Sequence, residues 1–241
     1  MAIVTSTYDF EIGQARAYYE STLGWTFGVG SWGTETDDQT EVFAGSYGAR
    51  NGKNSWARAP LGASFDDATI SMQVRAHGVN AWRNNANELL RLESTDATVL
   101  CQVKPAGTGA TSTFNVWVWN GSALELIGTT PTTVASATWH KYAIVFDSTG
   151  AVDVDIYLDD VLELSGTATA GGGYTAEHVV VGGSCDGNAL KGIHYDDLSV
   201  TYEDGISAGG VLHPLTPAPV RVPLAGIGLA GSELEFGDSD E

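Results

Sequence analysis

The feature that most limits what this chain can become is a succession of short segments in which apolar and polar residues alternate, separated by Gly, Thr, Ser and Asn. Alternation with a period of two puts one set of side chains in a core and the other in water, the pattern of antiparallel strands. Residues 69–75 set Ile70, Met72 and Val74 against Ser71, Gln73 and Arg75, and residues 114–119 set Phe114, Val116 and Val118 against Asn115, Trp117 and Trp119. Val152 to Leu158 alternates again, and Asp159-Asp160 makes a turn into Val161-Leu162-Glu163-Leu164. His140 to Phe146 is apolar on both sides and reads as a central strand, while His178 to Val181 and Ile193 to Tyr202 supply two more. With 30 Gly in 241 residues and 43% hydrophobic side chains, the chain has both the turns and the interior that such a domain needs. Residues 13–23 and 79–90 have room for a turn or two of helix each, but lack a sustained 3.6-residue stripe and read as loop-rich connections. The expected architecture is all-β, two antiparallel sheets forming a sandwich over residues 1–204.

Beyond Asp204 the character changes. Residues 212–223 hold four of the seven prolines, which remove ladder donors and favour extended structure. An apolar, Gly-rich stretch follows, then an end rich in carboxylates, among them Glu233 and Glu235. Residues 205–241 therefore read either as a solvated tail or as an extended C-terminal arm, with Val220, Arg221 and Val222 placed to add a strand to a neighbour's sheet edge. The arm is the reading adopted.

Charge narrows the partners. The formal net charge is −19, and residues 105–241 carry 18 Asp and Glu against three Lys and Arg. Such a chain repels phosphate backbones, so nucleic acid is not an expected partner. No run of 18 apolar residues and no basic amphipathic segment points to a membrane. The N-terminal residues show no signal-peptide pattern, which predicts assembly from a cytoplasm. Cys101 and Cys185 lack metal or redox spacing, and whether they pair is left open.

The chemistry-bearing residues favour binding over catalysis. Trp117 and Trp119 emerge on one sheet face with Asn115, about 7 Å apart, where they suit either stacking on sugar rings or burial against another sheet or subunit. Trp32, Trp56 and Trp82 are read as loop residues rimming that surface. The five histidines show no paired metal spacing, and no Ser or Cys sits in a nucleophile elbow. Asp153 and Asp155 share a strand face beside a turn and read as a solvated hairpin. The chain is not expected to be an enzyme.

Several segments, in order, resemble the concanavalin A-like jelly-roll superfamily, which includes laminin G-like domains and carbohydrate-binding modules. Trp139-His140-Lys141-Tyr142-Ala143 followed by Asp147 is similar to a W-H-x-x-A…D strand, and Tyr157-Leu158-Asp159-Asp160 to a Y-x-D-G hairpin with Asp160 in place of Gly. Val181-Gly182-Gly183, then Gly192 to Leu198, is similar to the closing strand. Asp9-Phe10-Glu11, Gly24-Trp25 and Gly45-Ser46-Tyr47 are similar to the opening of jelly-roll carbohydrate-binding modules. The resemblance implies a jelly roll whose first and last strands are neighbours, with Trp25 and Trp139 in the core. It implies a structural Ca²⁺ held by Glu11 with Asp196 or Asp197, the alternative being that the two aspartates only finish a strand. The superfamily's glycoside hydrolases carry an E-x-D-x-x-E strand, which this sequence lacks.

The combination of jelly roll, absent signal peptide, Pro-rich arm and acidic end resembles bacteriophage virion proteins. That implies a structural protein, a minor tail component or capsid decoration assembled in the host cytoplasm. It would form a homo-oligomer, tie to other virion subunits through its arm and display a lectin-like module to a polysaccharide. A non-viral carbohydrate-binding module and a glycoside hydrolase are the alternatives.

Overall fold

The computed structural model describes residues 2–8, 10, 16–28, 32–36, 43, 47–51, 56–76, 82, 88–182 and 193–204. In chain order these form β1 (Ala2–Tyr8), α1 (Arg16–Thr22), β2 (Thr26–Phe27), β3 (Trp32–Thr36), β4 (Tyr47–Asn51), β5 (Ala57–Phe65) and β6 (Asp67–Ala76). They continue through β7 (Leu90–Glu93), β8 (Val99–Pro105), β9 (Thr111–Ser112), β10 (Phe114–Trp119), β11 (Leu124–Thr129) and β12 (Val134–Ala135). The last are β13 (His140–Asp147), β14 (Asp153–Leu158), β15 (Val161–Thr167), β16 (Ala176–Val181) and β17 (Ile193–Asp204).

The strands pair antiparallel in two large sheets. An eight-stranded sheet runs β15-β14-β13-β6-β17-β4-β3 with β1 also paired to β17, and a seven-stranded sheet runs β11-β10-β8-β7-β16-β5-β2. The all-β sandwich is as expected, and first and last strands are neighbours, with Ala2 opposite Asp204 and Tyr8 opposite Leu198. β17 serves two partners along one edge: Ile193–Tyr195 lie on β4 and Leu198–Asp204 on β1. The switch occurs at a bulge between Asp196 and Ser199, where Asp197 has a φ of 48°. A bulge re-aims a strand at this kind of junction.

The alternating segments fold as their period demands. Ile70, Met72 and Val74 of β6, Phe114, Val116 and Val118 of β10, and Val154, Ile156 and Leu158 of β14 all enter one core. His140–Asp147 is an interior strand between β6 and β14. The Asp159-Asp160 turn has both residues left-handed, at φ 48° and 65°, the mark of a type I′ hairpin. Two carboxylates tolerate this because each finds a partner: Asp159 accepts from the Lys141 amide at 2.9 Å and Asp160 from Lys141 Nζ at 2.6 Å.

Residues 16–22 take up the turn or two of helix that segment 13–23 has room for. Its cause is tertiary: Tyr19, 1% exposed, packs edge-on to Trp25 at 5.4 Å, and Trp25 meets Tyr8 at 5.3 Å and Phe10 at 5.9 Å. One anchoring aromatic holds so short a helix without an amphipathic stripe. Trp25 is thus core, as expected, whereas Trp139 is not; it is half-buried against the exposed Phe43 ring.

At one end the two sheets are sealed edge to edge. A Cβ on Gly128 of β11 would lie 3.0 Å from Leu164 of β15, Glu163 accepts from the Thr132 hydroxyl at 2.7 Å, and Glu125 accepts from the Thr169 hydroxyl at 2.7 Å. The following loop crosses so closely that a Cβ on Gly172, at φ +140°, would meet the Gly150 carbonyl oxygen. Only glycine fits there.

Candidate functional site

The outer face of the seven-stranded sheet is set by register. Partners directly opposite one another in adjacent strands share a face, and one such row crosses every strand of the sheet. It runs Leu126, Trp117, Gln102, Arg91, Val180, Arg58, Thr26. The adjoining row runs Gly128, Val116, Val103, Leu90, Val181, Ala57, Phe27 and faces the core. Seven strands at about 4.8 Å spacing make the outer row about 29 Å long.

Charge on this face is organised as a continuous ladder. Arg58 Nε lies 2.9 Å from Glu93 Oε2, and Arg91 Nη2 lies 2.7 Å from Glu93 Oε1. Arg91 Nη1 then reaches Glu88 Oε2 at 2.7 Å, and Lys104 Nζ reaches Glu88 Oε1 at 3.3 Å. Each oxygen of both glutamates therefore meets a cation. The glutamates are nearly buried, with side-chain exposures of 6% for Glu93 and 11% for Glu88, while Arg58 and Lys104 are each 21% exposed. Val180, between the two arginines in register, is fully buried although it points outward.

His178 closes the ladder at one end. Arg58 Nη2 lies 3.1 Å from His178 Nδ1, and since a guanidinium can only donate, Nδ1 accepts and the ring is neutral. Burial, and next the Arg58 charge, hold the His178 pKa below the ordinary imidazole value against the opposing pull of Glu177 and the Ser94 backbone.

At the other end stand the tryptophans. Trp117 is half-buried on the outer face, whereas Trp119, at the end of β10, packs against the core cluster together with Tyr174, which it meets edge-on at 6.5 Å. Asn115 shares the Trp117 face, opposite Lys104, and its Oδ1 accepts from the Thr129 hydroxyl at 2.7 Å. Trp117 thus adjoins the ladder through Gln102. Trp82 does not belong to this surface. It is 1% exposed, meets Phe114 edge-on at 5.2 Å and donates its indole N–H to the Val134 carbonyl at 3.2 Å. Phe114 faces inward, so Trp82 is core rather than rim. Trp56 lies against Gly28, and Trp32 opens β3.

The remaining expected residues stand apart from this face. Asp196 is buried and accepts from the Asp197 amide at 2.9 Å, and Asp197 occupies the β17 bulge. Glu11, the third residue of the expected calcium set, lies outside the described residues, and among those described no three His, Cys, Asp or Glu are grouped to hold a metal ion. Val220, Arg221, Val222, Glu233 and Glu235 also lie outside the described residues, as does Cys185. Cys101 is a free, buried thiol whose pKa burial pushes up to about 12, which leaves it inert.

Arg58, Glu88, Arg91, Glu93, Lys104 and His178 were not singled out by the sequence. Leu90-Arg91-Leu92-Glu93 does alternate, and that local signal marks a strand with two charges outward. What no local pattern carries is the pairing of positions 58, 91, 104 and 178, which four separate strands bring together.

A family model described as the concanavalin A-like lectin/glucanases superfamily, laminin G type, matches residues 49–201. The chain belongs to this superfamily. Domain 4 of AbnA, an extracellular arabinanase of Geobacillus stearothermophilus in complex with arabinotriose, superposes with a TM-score of 0.51 at 17% identity, over 81% of this chain and 90% of that one. A carbohydrate esterase from the Shiga toxin-encoding bacteriophage phi24B gives 0.52 at 14% identity, over 84% of this chain and 100% of that one. A sialidase gives 0.53 at 10% identity over 83% of this chain, which spans 18% of the sialidase. At these identities the likeness is one of fold. No curated protein sequence matches the chain. The superfamily's concanavalin A-like sandwich is thus common to proteins that handle carbohydrate and does not by itself assign a sugar or a reaction.

Proposed function

We propose that the chain is a lectin-like carbohydrate-binding module that takes a polysaccharide along the outer face of its seven-stranded sheet. The observation that carries this reading is the register row in which Trp117, Gln102 and Arg91 stand side by side on adjacent strands, with Arg58 next in the row beyond Val180. An indole face adjoining fixed polar groups is the composition that sugar rings need, apolar on their faces and hydroxylated at their edges. Affinity electrophoresis against a panel of plant, bacterial and algal polysaccharides tests it. Retardation by at least one polymer, lost in Trp117→Ala, supports the reading. Unretarded migration on every polymer contradicts it and favours burial of Trp117 by another subunit.

Binding rather than bond cleavage is the activity we assign. Its support is the lack of the E-x-D-x-x-E strand of the superfamily's glycoside hydrolases, and the engagement of both oxygens of Glu88 and of Glu93 in ion pairs with Arg58, Arg91 and Lys104. Release of reducing ends or unsaturated products from a bound polymer would contradict this.

We further propose that the module is carried on a bacteriophage virion, as a minor tail component or capsid decoration. Its support is the Pro-rich segment and acidic end after Asp204, together with the shared fold of the phi24B esterase. Particles assembled with residues 205–241 deleted should lack the protein, and normal incorporation would refute the arm's role.

A further inference from the structure

Independently of the polysaccharide reading, we propose that in the free chain the segment following β17 docks on its own sandwich, with Arg221 seated in an acidic cleft on the outer face of the eight-stranded sheet. The first observation is the cleft. Val154, Ile156 and Leu158 of β14 enter the core, so Asp153 and Asp155 face outward. Register sets Asp153 directly opposite Asp147 of β13 and Thr167 of β15, and Asp155 opposite Val145 and Ser165. These residues wall a cleft of about 340 Å³. Asp147, Asp153 and Asp155 each accept from one hydroxyl through Oδ1, those of Thr149, Thr167 and Ser165. Like charges directly opposite one another disfavour a sheet, and a cation lying between them offsets that cost. A guanidinium, planar and forked, is the side chain that meets two carboxylates at once.

The second observation is the charge of the segment that leaves the sheet. Residues 205–232 contain no Asp or Glu and one cation, Arg221, in a chain with 30 acidic residues and a formal charge of −19. Val220 and Val222 flank that cation, and Val145 gives the cleft an apolar wall. The five carboxylates of residues 233–241 stand 12 or more residues beyond Arg221. That is an extended reach of up to about 40 Å, against a screening length of about 8 Å at physiological salt.

The third observation is reach. Thr201 of β17 lies opposite Thr69 of β6, and Asp67, Asp147 and Asp153 form the next outward row. β17 therefore runs out at Asp204 level with the carboxylates, and in the sheet order it stands three strands from β14, about 14 Å. Arg221 follows 17 residues after Asp204, a length whose r.m.s. span is about 23 Å as a coil. Linker and span match, which sets an effective concentration in the millimolar range. A contact made by one guanidinium and two valines is weak, so it is populated within one chain and not between dilute copies.

Trypsin reads the state of Arg221 directly, since it is the one Lys or Arg of residues 205–241 and Val222 follows it. In the full chain, the initial rate of release of peptide 222–241, followed by mass spectrometry, should be about threefold to tenfold slower in the wild type than in the double variant Asp153→Asn, Asp155→Asn, because proteolysis samples the undocked fraction. The protection should fade as NaCl rises from about 0.05 to about 0.5 M, and it should not depend on protein concentration. Asp160→Asn, at the far end of the same sheet, should leave the rate unchanged. Arg221→Gln alters no residue of the sandwich, and it should move the backbone amide resonances of Asp153, Asp155, Ser165 and Thr167 while those of β10 stay in place. Equal release rates in the wild type and the double variant, or cleft amides indifferent to Arg221→Gln, overturn the docking. Protection that grows with protein concentration overturns its assignment to the same chain and moves the segment to a second copy.

Discussion

The outer faces of the two sheets obey the same alternation and arrive at opposite chemistry. On the seven-stranded sheet, carboxylates are clamped between cations and the row passes through Trp117 to Leu126. On the eight-stranded sheet, Asp67, Asp147 and Asp153 lie directly opposite one another on β6, β13 and β14, and among the described residues that row continues to Thr167. There the carboxylates use hydroxyls instead: Asp147 accepts from Thr149, Asp153 from Thr167 and Asp155 from Ser165. Asp147, Asp153, Asp155, Ser165 and Thr167 line a cleft of about 340 Å³. Like charges placed opposite one another disfavour a sheet, so this acidic face lowers stability, whereas the ladder knits four strands together. Period alone decides which residues face out. Register decides what they become.

The comparison breaks first at Arg91. Arg91→Leu leaves Glu88 and Glu93 nearly buried, each without its central partner, and should cost about 3 kcal/mol of stability, read as a fall in the urea midpoint. The triple substitution Glu88→Gln, Arg91→Leu, Glu93→Gln should recover most of it. If Arg91→Leu costs no more than Asp153→Asn on the opposite sheet, the ladder is a surface decoration and the contrast fails.

Trp117→Ala should weaken binding of any polymer the wild type takes by about tenfold or more, the scale of a central aromatic anchor. Its effect on stability should be smaller than that of Trp82→Ala, which empties a core site and should cost about 3–5 kcal/mol. Titration of both variants and their urea midpoints separate the two tryptophans, which the sequence had placed on one surface.

On the eight-stranded sheet a turn substitution should help. Asp160 is left-handed at φ 65° in the turn at the far end of β14 from Asp153, so Asp160→Gly relieves backbone strain. It should raise stability by about 0.5–1 kcal/mol, even though it discards the Lys141 contact. A lower melting temperature would show that contact to matter more than the backbone.

The smallest expected effect is the pH response of the ladder's end. The His178 pKa is depressed in the folded state, so the unfolded chain binds the proton more readily. Its contribution to stability is full above about pH 6.5, the ordinary imidazole value, and is lost as pH falls through 6.5 toward the folded value. Between pH 7.5 and 5.5 the urea midpoint of the wild type should drop, and that of His178→Gln should drop less. Equal slopes would mean that the Arg58 contact does not hold the ring neutral.

The sandwich was legible in the sequence because its strands are short, alternate cleanly and are punctuated by turns, from residues 69–75 through 193–202. The α1 helix was not, because its stability comes from Tyr19 packed against Trp25 and Phe10 rather than from a stripe. Trp117 and its face followed from β10's own alternation. The rest of the face did not, since Arg58, Arg91, Lys104 and His178 meet only through long-range register. Trp82 misled for the opposite reason: an isolated bridge to Gly109 carries it under Phe114, and nothing local announces that.

The most direct test of the account follows the indole N–H resonances of the seven tryptophans, assigned by Trp→Phe substitution, while a polysaccharide retarded in affinity electrophoresis is added. The account predicts that the Trp117 signal moves or broadens with the binding curve while those of Trp25 and Trp82 stay in place. A binding curve with Trp117 unmoved, and backbone amides around Asp147, Asp153 and Asp155 shifting instead, would place the polymer on the other sheet and contradict it.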